Sequence, residues 1–395
     1  VNKCLAKLPR FLFLLSALIK VFLQFFSLLF RLFLIPKPEF LILQNPPSIP
    51  ALLICLLVCF VRRTTLILDW HNYGYTILQV NKRNKLLVWL AYFYEKILGR
   101  FASLSLCVSK AMQEDLKRLG VKNAIDLPDR AMPAVFNPQN RENMDICFDL
   151  FTKYKDTFNV KQLLTPELLK NPDIVEERSK NSYVKFNWNK ERPMMLLSST
   201  SWTPDEDFDL LLNAVIRSEK GILEIVKGKV KEESLAGKVQ LIITGRGPMK
   251  ERFMQRVAEA KLKIFEVKSI WLESDDYPKL LSVVDLGICL HYSSSGFDLP
   301  MKVVDMFSAG LPVLAVEYPT IKELVSNNKN GLLFKSEEEL RILLEDHVVK
   351  FILKGECKEI EEMRKYILND FKGQNWIDQW REKLIPHLKL KTKKL

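Results

Sequence analysis

The sequence predicts an α/β protein built from two doubly wound domains. Three observations carry this reading. Short apolar runs of strand length alternate with longer helical stretches along most of the chain. The stretch 285–316 reads as strand, small-residue loop, helix and strand, which is a βαβ unit. At 395 residues the chain is long enough for two separate cores.

The elements follow in order. "FLFLLSALIKVFLQFFSLLFRLFLI" (11–35) is apolar enough to span a bilayer, yet Ser16, Lys20, Gln24, Ser27 and Arg31 fall on one helical stripe. A spanning helix would not carry two unpartnered cations there, so we expect a helix lying in a membrane surface, with Lys3, Lys7 and Arg10 near headgroups. A helix of the first domain with one wet edge is the plainer alternative. The interrupting charges also exclude a signal peptide. "EFLILQ" (39–44), "TLILDW" (65–70) and "LSLCVS" (104–109) read as strands, with helices near 49–60, 84–99 and 109–119. Residues 136–192 are polar and turn-rich, an insertion with some helix. A second strand series follows at 194–199, 239–245, 263–269, 285–290, 312–316 and 331–334, and the chain closes in helix and a small basic tail, "LKLKTKKL". The expected boundaries are 1–190 for the first domain including its insertion, 191–372 for the second, and 373–395 for a terminal helical segment and tail.

Composition narrows the function classes. With 48% hydrophobic and 27% charged residues, no disordered tract dominates. The net charge of +12 comes without basic blocks interleaved with aromatics, which argues against nucleic acid and suits anionic lipid or a phosphorylated substrate. Seven cysteines, odd in number, without a CxxC and mostly in apolar runs, read as buried reduced thiols. Four scattered histidines give no zinc spacing, and neither a metal nor a cofactor is called for.

The chemistry-bearing residues cluster in loops that follow strands, where α/β folds bind ligands. "SSTSWTPDED" (198–207) offers Ser199, Thr200 and Ser201, with Thr203 or Asp205 as the cap of the next helix. "TGRGPMKE" (244–251) offers Gly245 and Gly247 for a close backbone approach and Arg246 for a phosphate or base. "HYSSSGFDLPMKVVDMFSAGLPV" (291–313) is the strongest. Ser294, Ser295 and Gly296 can present N–H groups and hydroxyls to a diphosphate, Pro300 suits a first helical turn, and Asp298 sits near its cap. Lys302 supplies a cation and Asp305, on the same face, an acceptor for ribose hydroxyls; a plain lysine–aspartate pair on a wet helix face is the alternative. "WLESDDYPKLLSVVD" (271–285) looks like an ordinary loop and helix with surface acids. In the first half, "LDWHNYGY" (68–75) crowds Asp69, His71, Asn72 and Tyr73 at one strand end, and His71 is the sole histidine before residue 291. It reads either as a base or as a satisfied structural histidine. Gln44 and Asn45 in "LQNPPSIP" (43–50) can hold hydroxyls.

Taken together, "LQNPPSIP", "LDWHNYGY", "YEKILGR", "SSTSWTPDEDFDLLL", "GRGPMKE", "WLESDDYP", "DLGICLHYSSSGFDLPMKVVDMFSAGLPV" and "NGLLF" resemble the chitobiosyldiphosphodolichol β-mannosyltransferase family, in the family's order from about residue 15 to 380. The long segment is highly specific; "GRGP" alone matches many nucleotide-sugar transferases. The resemblance implies a GT-B fold of two Rossmann-like domains facing a cleft. It implies inverting transfer of mannose from GDP-mannose to the 4-hydroxyl of the outer GlcNAc of dolichol-linked chitobiose diphosphate. The expected place is the cytosolic face of the endoplasmic reticulum membrane, with other mannosyltransferases of the pathway as further partners.

The donor set would be Ser199, Thr200, Ser201, Gly245, Arg246, Gly247, Ser294, Ser295, Gly296, Lys302 and Asp305. Gln44, Asn45, Asn72 and Tyr73 would face the acceptor. For the base, His71 is preferred over Asp69 and Asp298. The family begins with a membrane anchor, a first strand and a glycine-rich loop, none of which precedes Lys20 here, so the first domain is expected to be incomplete. Two alternatives stay open: another GT-B transferase with a lipid acceptor, for example one using UDP-GlcNAc, and an inactive truncated paralogue that acts by binding proteins.

Overall fold

The computed structural model describes residues 13–80, 83–130, 135–166, 186–203, 206–371 and 376–388. Lys3, Lys7, Arg10, Cys4 and Asp205, and all of the basic tail after Leu388, lie outside the described residues. The chain divides into two units, one formed by the described parts of Val1–Pro128, Ser293–Leu299 and Gln379–Leu395, the other by those of Asp129–Tyr292 and Pro300–Asp378.

The first unit is a parallel four-stranded sheet, β1 (Phe40–Asn45), β2 (Thr65–Trp70), β3 (Leu104–Cys107) and β4 (Ala124–Asp126), in that spatial order. Helices connect the strands: α2 (Ala51–Arg62), then α3 (Gly74–Val80) and α4 (Lys85–Leu98), then α5 (Lys110–Arg118), with α1 (Phe13–Leu34) ahead of β1. Side chains alternate across β2. Leu68 and Trp70 join Leu52, Tyr73 and Met112 on one face, while Ile67 points to the other, where Leu104, Leu106 and the C-terminal Leu384 cover it. The terminal segment therefore completes this unit's core, and Lys383 fastens it to Asp126 at 2.6 Å. α4 and α5 start where Asn84 and Ser109 accept the N–H groups of Leu86 and Met112.

In the second unit, the first part of the chain forms α6 (Met144–Lys153) and a short antiparallel pair, β5 (Leu164–Pro166) with β6 (Phe186–Trp188). The expectation had placed this insertion with the first domain. It packs instead with the second unit, because its basic and hydroxyl groups meet carboxylates there. Arg141 and Arg192 hold Asp285 at 2.7 Å, and Lys153 (2.6 Å) and Tyr154 (2.9 Å) hold Asp276.

A parallel six-stranded sheet follows: β7 (Met194–Ser199), β8 (Val239–Thr244), β9 (Phe265–Ile270), β10 (Leu286–Cys289), β11 (Val313–Val316) and β12 (Gly331–Phe334), in the order β12-β11-β10-β7-β8-β9. Every residue of β7, β8 and β10 is buried, as expected of a sheet covered on both faces. Its helices are α7 (Phe208–Val226), α8 (Lys250–Ala260), α9 (Tyr277–Val283), α10 (Met301–Ser308), α11 (Glu337–Lys354) and α12 (Lys358–Phe371). α7 is capped by Asp207, which accepts from the Leu210 N–H, and not by Thr203. The six described cysteines are free and buried, and burial pushes the Cys55, Cys59, Cys289 and Cys357 thiols up to about 11.

Candidate active-site residues

In the second unit the loops after β7 and β8 build each other. Thr200 Oγ1 donates to the Glu206 carboxylate and accepts from the Trp202 N–H at 2.8 Å. Trp202 is buried in a left-handed conformation (φ 53°), stacks on Phe208 at 4.6 Å and donates its indole N–H to the Gly245 carbonyl at 3.2 Å. A Cβ on Gly245 (φ +122°) would stand 1.8 Å from the Thr200 carbonyl oxygen, and one on Gly247 2.0 Å from that of Ser201. The backbone that these two glycines admit is thus the neighbouring loop, a correction to the expectation that they make room for a ligand. Between them Arg246 is exposed, with its guanidinium 4.2 Å from the centre of the Trp271 ring. Ser199 accepts a hydrogen bond from the Tyr277 hydroxyl at 3.0 Å.

Helix α10 begins after Pro300, which stands at the cap position. Lys302, in its first turn, pairs with the buried Glu206 carboxylate at 2.5 Å. Asp305 lies one turn further on, and burial pushes its carboxyl up to about 6. The same helix therefore offers a partly exposed ammonium and, one turn away, a carboxyl whose charge changes near neutral pH. The acids of 271–285 are not all on the surface as expected: Asp276 and Asp285 are buried. Burial alone would raise the Asp285 carboxyl, but the Arg192 and then the Arg141 guanidinium hold it below the usual carboxylate range.

In the first unit the end of β2 and the segment Ser293–Leu299 form one network. His71 Nε2 lies 3.0 Å from Asp69 Oδ2, with both side chains about 30% exposed, and the His71 N–H donates to the Asn45 carbonyl at 2.9 Å. Asn72 Nδ2 donates to Asp298 Oδ1 at 3.0 Å and to Ser294 Oγ at 3.2 Å. Asp298 Oδ1 also accepts from the Ser293 hydroxyl and, at 3.2 Å, from that of Ser295. The Ser293 and Ser295 hydroxyls thus bond within their own loop, which turns through Gly296 at φ +79°, and that of Ser294 meets Asn72 and Thr76. The sequence reading joined Ser294, Ser295 and Gly296 to Lys302 in a single cradle; their contacts place this loop with the first unit and Lys302 with the second.

Two acceptor candidates are also reassigned. Asn45 is fully buried, its amide 3.4 Å from the Asn72 carbonyl, and Tyr73 is buried with its hydroxyl donating to Asp115 at 2.7 Å. Both hold the loop in place, whereas Gln44 is exposed. Sequence reasoning missed Glu206, hidden in a run of acids that read as helix caps; its signal was the lysine at the start of α10, which needs a counter-ion. Among the described residues no group of three His, Cys, Asp or Glu side chains is arranged to hold a metal ion.

Two parallel α/β units with ligand-type loops at their strand ends define a class, and comparison with known proteins agrees. Residues 207–350 match the family described as Glycosyl transferases group 1. Among solved structures, Anabaena HepE in complex with UDP and glucose aligns with a TM-score of 0.55 at 14% identity, over 87% of this chain and 76% of that one. An α,α-trehalose 6-phosphate synthase from Burkholderia multivorans aligns with a TM-score of 0.56 at 9% identity, over 95% and 76%. The fold is GT-B and the protein is a glycosyltransferase.

More similar in sequence are the chitobiosyldiphosphodolichol β-mannosyltransferases of mouse (38% identical, 94% of this chain and 74% of the relative) and human (36%, 93% and 76%). The UDP-glycosyltransferase TURAN of Arabidopsis thaliana is 36% identical over 95% of this chain and 82% of its own length. The chain belongs to the chitobiosyldiphosphodolichol β-mannosyltransferase family.

Proposed function

We propose that this protein transfers mannose from GDP-mannose to the 4-hydroxyl of the outer GlcNAc of dolichol-linked chitobiose diphosphate, with inversion, on the cytosolic face of the endoplasmic reticulum membrane. The observation that carries the reading is likeness to mannosyltransferases of that substrate along more than nine-tenths of the chain.

The residues support a single displacement. Asp69, 3.0 Å from His71 Nε2, orients the imidazole. The ring receives the proton of the acceptor hydroxyl as its oxygen bonds to the anomeric carbon and the bond to GDP breaks. Lys302 and the N-terminus of α10 face the charge that develops on the leaving diphosphate, and Asp305 accepts the ribose hydroxyls. Ser199, Thr200, Ser201 and Arg246 line the nucleotide's side. Asp298, which three donors already engage, shapes the loop beside Asn72. Helix α1, with Phe22, Phe26 and Phe30 exposed, lies against the membrane.

A second donor is worth testing because one relative is called a UDP-glycosyltransferase. Full-length protein in detergent, given a chitobiosyl diphosphate lipid and either GDP-mannose or UDP-GlcNAc, should form a mannosylated product only. Product from UDP-GlcNAc alone would replace the donor assignment, and no product from either would favour the inactive reading.

A further inference from the structure

Helix α4 turns an apolar face outward, unlike a helix that faces water. Its inner side carries buried polar groups beside Ala91 and Leu98. Glu95, 2% exposed, accepts from Ser48 Oγ at 2.7 Å and from the Gly74 N–H at 3.0 Å; Tyr94 Oη accepts from the Leu53 N–H at 3.0 Å and lies 3.3 Å from the Pro50 carbonyl. Its outer side is Leu86, Trp89, Leu90, Phe93 and Ile97, one helical face, each between 37% and 62% exposed. A helix in water turns its apolar stripe inward.

The neighbours extend the pattern. α2, whose first turn meets Tyr94, exposes Leu57 and Phe60; α1, whose Leu32 packs on Cys55 and Cys59 of α2, exposes Phe22, Phe26 and Phe30. Scattered exposed apolar residues need no explanation, but three adjoining helices with apolar outer faces do. Charge identifies what covers them. Residues 13–63 and 83–101 hold nine Lys and Arg against two carboxylates, Glu39 and the buried Glu95. Arg83 stands before α4, Lys85 opens it and Arg100 follows it, while its outer face carries no acid. Aromatic and aliphatic side chains flanked by cations complement the acyl boundary and the phosphates of an anionic bilayer.

We infer that the outer face of α4 is a membrane-docking surface: Leu86, Trp89, Leu90, Phe93 and Ile97 enter the headgroup–acyl boundary of an anionic phospholipid bilayer while Arg83, Lys85 and Arg100 meet lipid phosphates. This adds a second contact to that of α1 and rests on the membrane placement proposed above.

The test uses the full chain and phosphatidylcholine vesicles with or without phosphatidylserine. Leu90→Ser/Phe93→Ser, which leaves α1 intact, should lower vesicle partitioning by at least about tenfold. Brominated lipid should quench the parent's fluorescence, and Trp89→Phe should remove most of that quenching. Arg83→Gln/Arg100→Gln should abolish only the gain due to phosphatidylserine. Parent-like partitioning of the double serine variant, or quenching unchanged by Trp89→Phe, would overturn the proposal. A shift in the oligomeric state of the vesicle-free chain, with partitioning unchanged, would overturn it in favour of a protein contact. Turnover of a short-chain acceptor in detergent should be equal in parent and variant. Absence of that turnover in the parent counts against the transferase reading and leaves the docking result standing.

Discussion

The ammonium of Lys302 lies 2.5 Å from the carboxylate of Glu206, a residue 96 positions earlier in the chain, and the carboxylate is almost wholly buried while the ammonium is 26% exposed. Glu206 also accepts the Thr200 hydroxyl, so one buried acid ties the loop after β7 to the first turn of α10. The pair orients the lysine for the diphosphate contact proposed above.

Lys302→Ala should therefore do two separable things. GDP affinity should fall by about 1.5–3 kcal/mol, the scale of a charge-assisted hydrogen bond. Stability should fall by roughly 1–3 kcal/mol, because Glu206 is left buried without its partner. In Lys302→Met/Glu206→Gln the second loss should largely disappear and the first remain. Calorimetry with GDP and thermal melts give the two readouts; affinity that recovers in the double variant would remove Lys302 from the nucleotide site.

His71→Ala should lower kcat about 10²–10⁴-fold, the usual worth of a general base, with GDP affinity near the parent value. Asp69→Asn should lower kcat less, since it disturbs the tautomer and orientation of the ring and leaves the base in place. Asp298→Asn is the competing test. If that variant loses turnover while His71→Ala keeps it, the base lies in the loop after β10.

If Asp305 holds the ribose as proposed, nucleotide binding depends on pH. It accepts hydroxyl protons more strongly when ionised, and its carboxyl is raised to about 6. GDP affinity should rise with pH through about 6 in the parent more steeply than in Asp305→Asn, a comparison that cancels the titration of GDP itself. The stability sign is opposite. A carboxyl raised in the folded state holds its proton where the unfolded chain has lost it, so stability is lost as pH rises from 3.8 to about 6. Asp305→Asn should therefore raise the melting temperature at pH 7 and leave it nearly unchanged below pH 4.

Gly245 and Gly296, both at positive φ, should respond differently to alanine. Gly245→Ala drives a methyl into the Thr200 carbonyl, a backbone atom that cannot swing aside, and should cost well over about 2 kcal/mol along with nucleotide binding. At Gly296 nothing lies within 4 Å of the added Cβ, so Gly296→Ala should cost only the conformational penalty of about 1–2 kcal/mol. Equal destabilisation of the two would contradict this account of the loops.

What the sequence made legible was local. Strand runs and helical stripes place β7, β8, β10 and the loops after them, because period and capping act within a few residues. It failed where the determining partner is distant. Asp285 looks like the surface end of a helix until Arg141 and Arg192 arrive from 144 and 93 residues away. Gly245 and Gly247 were rightly singled out as sites of close approach, but a sequence does not say what approaches. The hydroxyl of Ser295 was read as a ligand group because Asp298, which accepts from it, was assigned elsewhere. Asn45 and Tyr73 show the same limit: polarity marked them for a ligand, and burial assigns them to the scaffold.

Leu384, fully buried against Ile67, Leu104 and Leu106, has a consequence for synthesis. Chains emerge from the ribosome N-terminus first, and domains normally fold in that order. Here the four-stranded sheet, whose strands end at Asp126, keeps one face uncovered until Leu384 leaves the tunnel. During that interval the nascent chain exposes apolar strand surface that chaperones recognise. A premature stop codon before Gln379 would deny that sheet its cover for good and should act as a loss-of-folding allele.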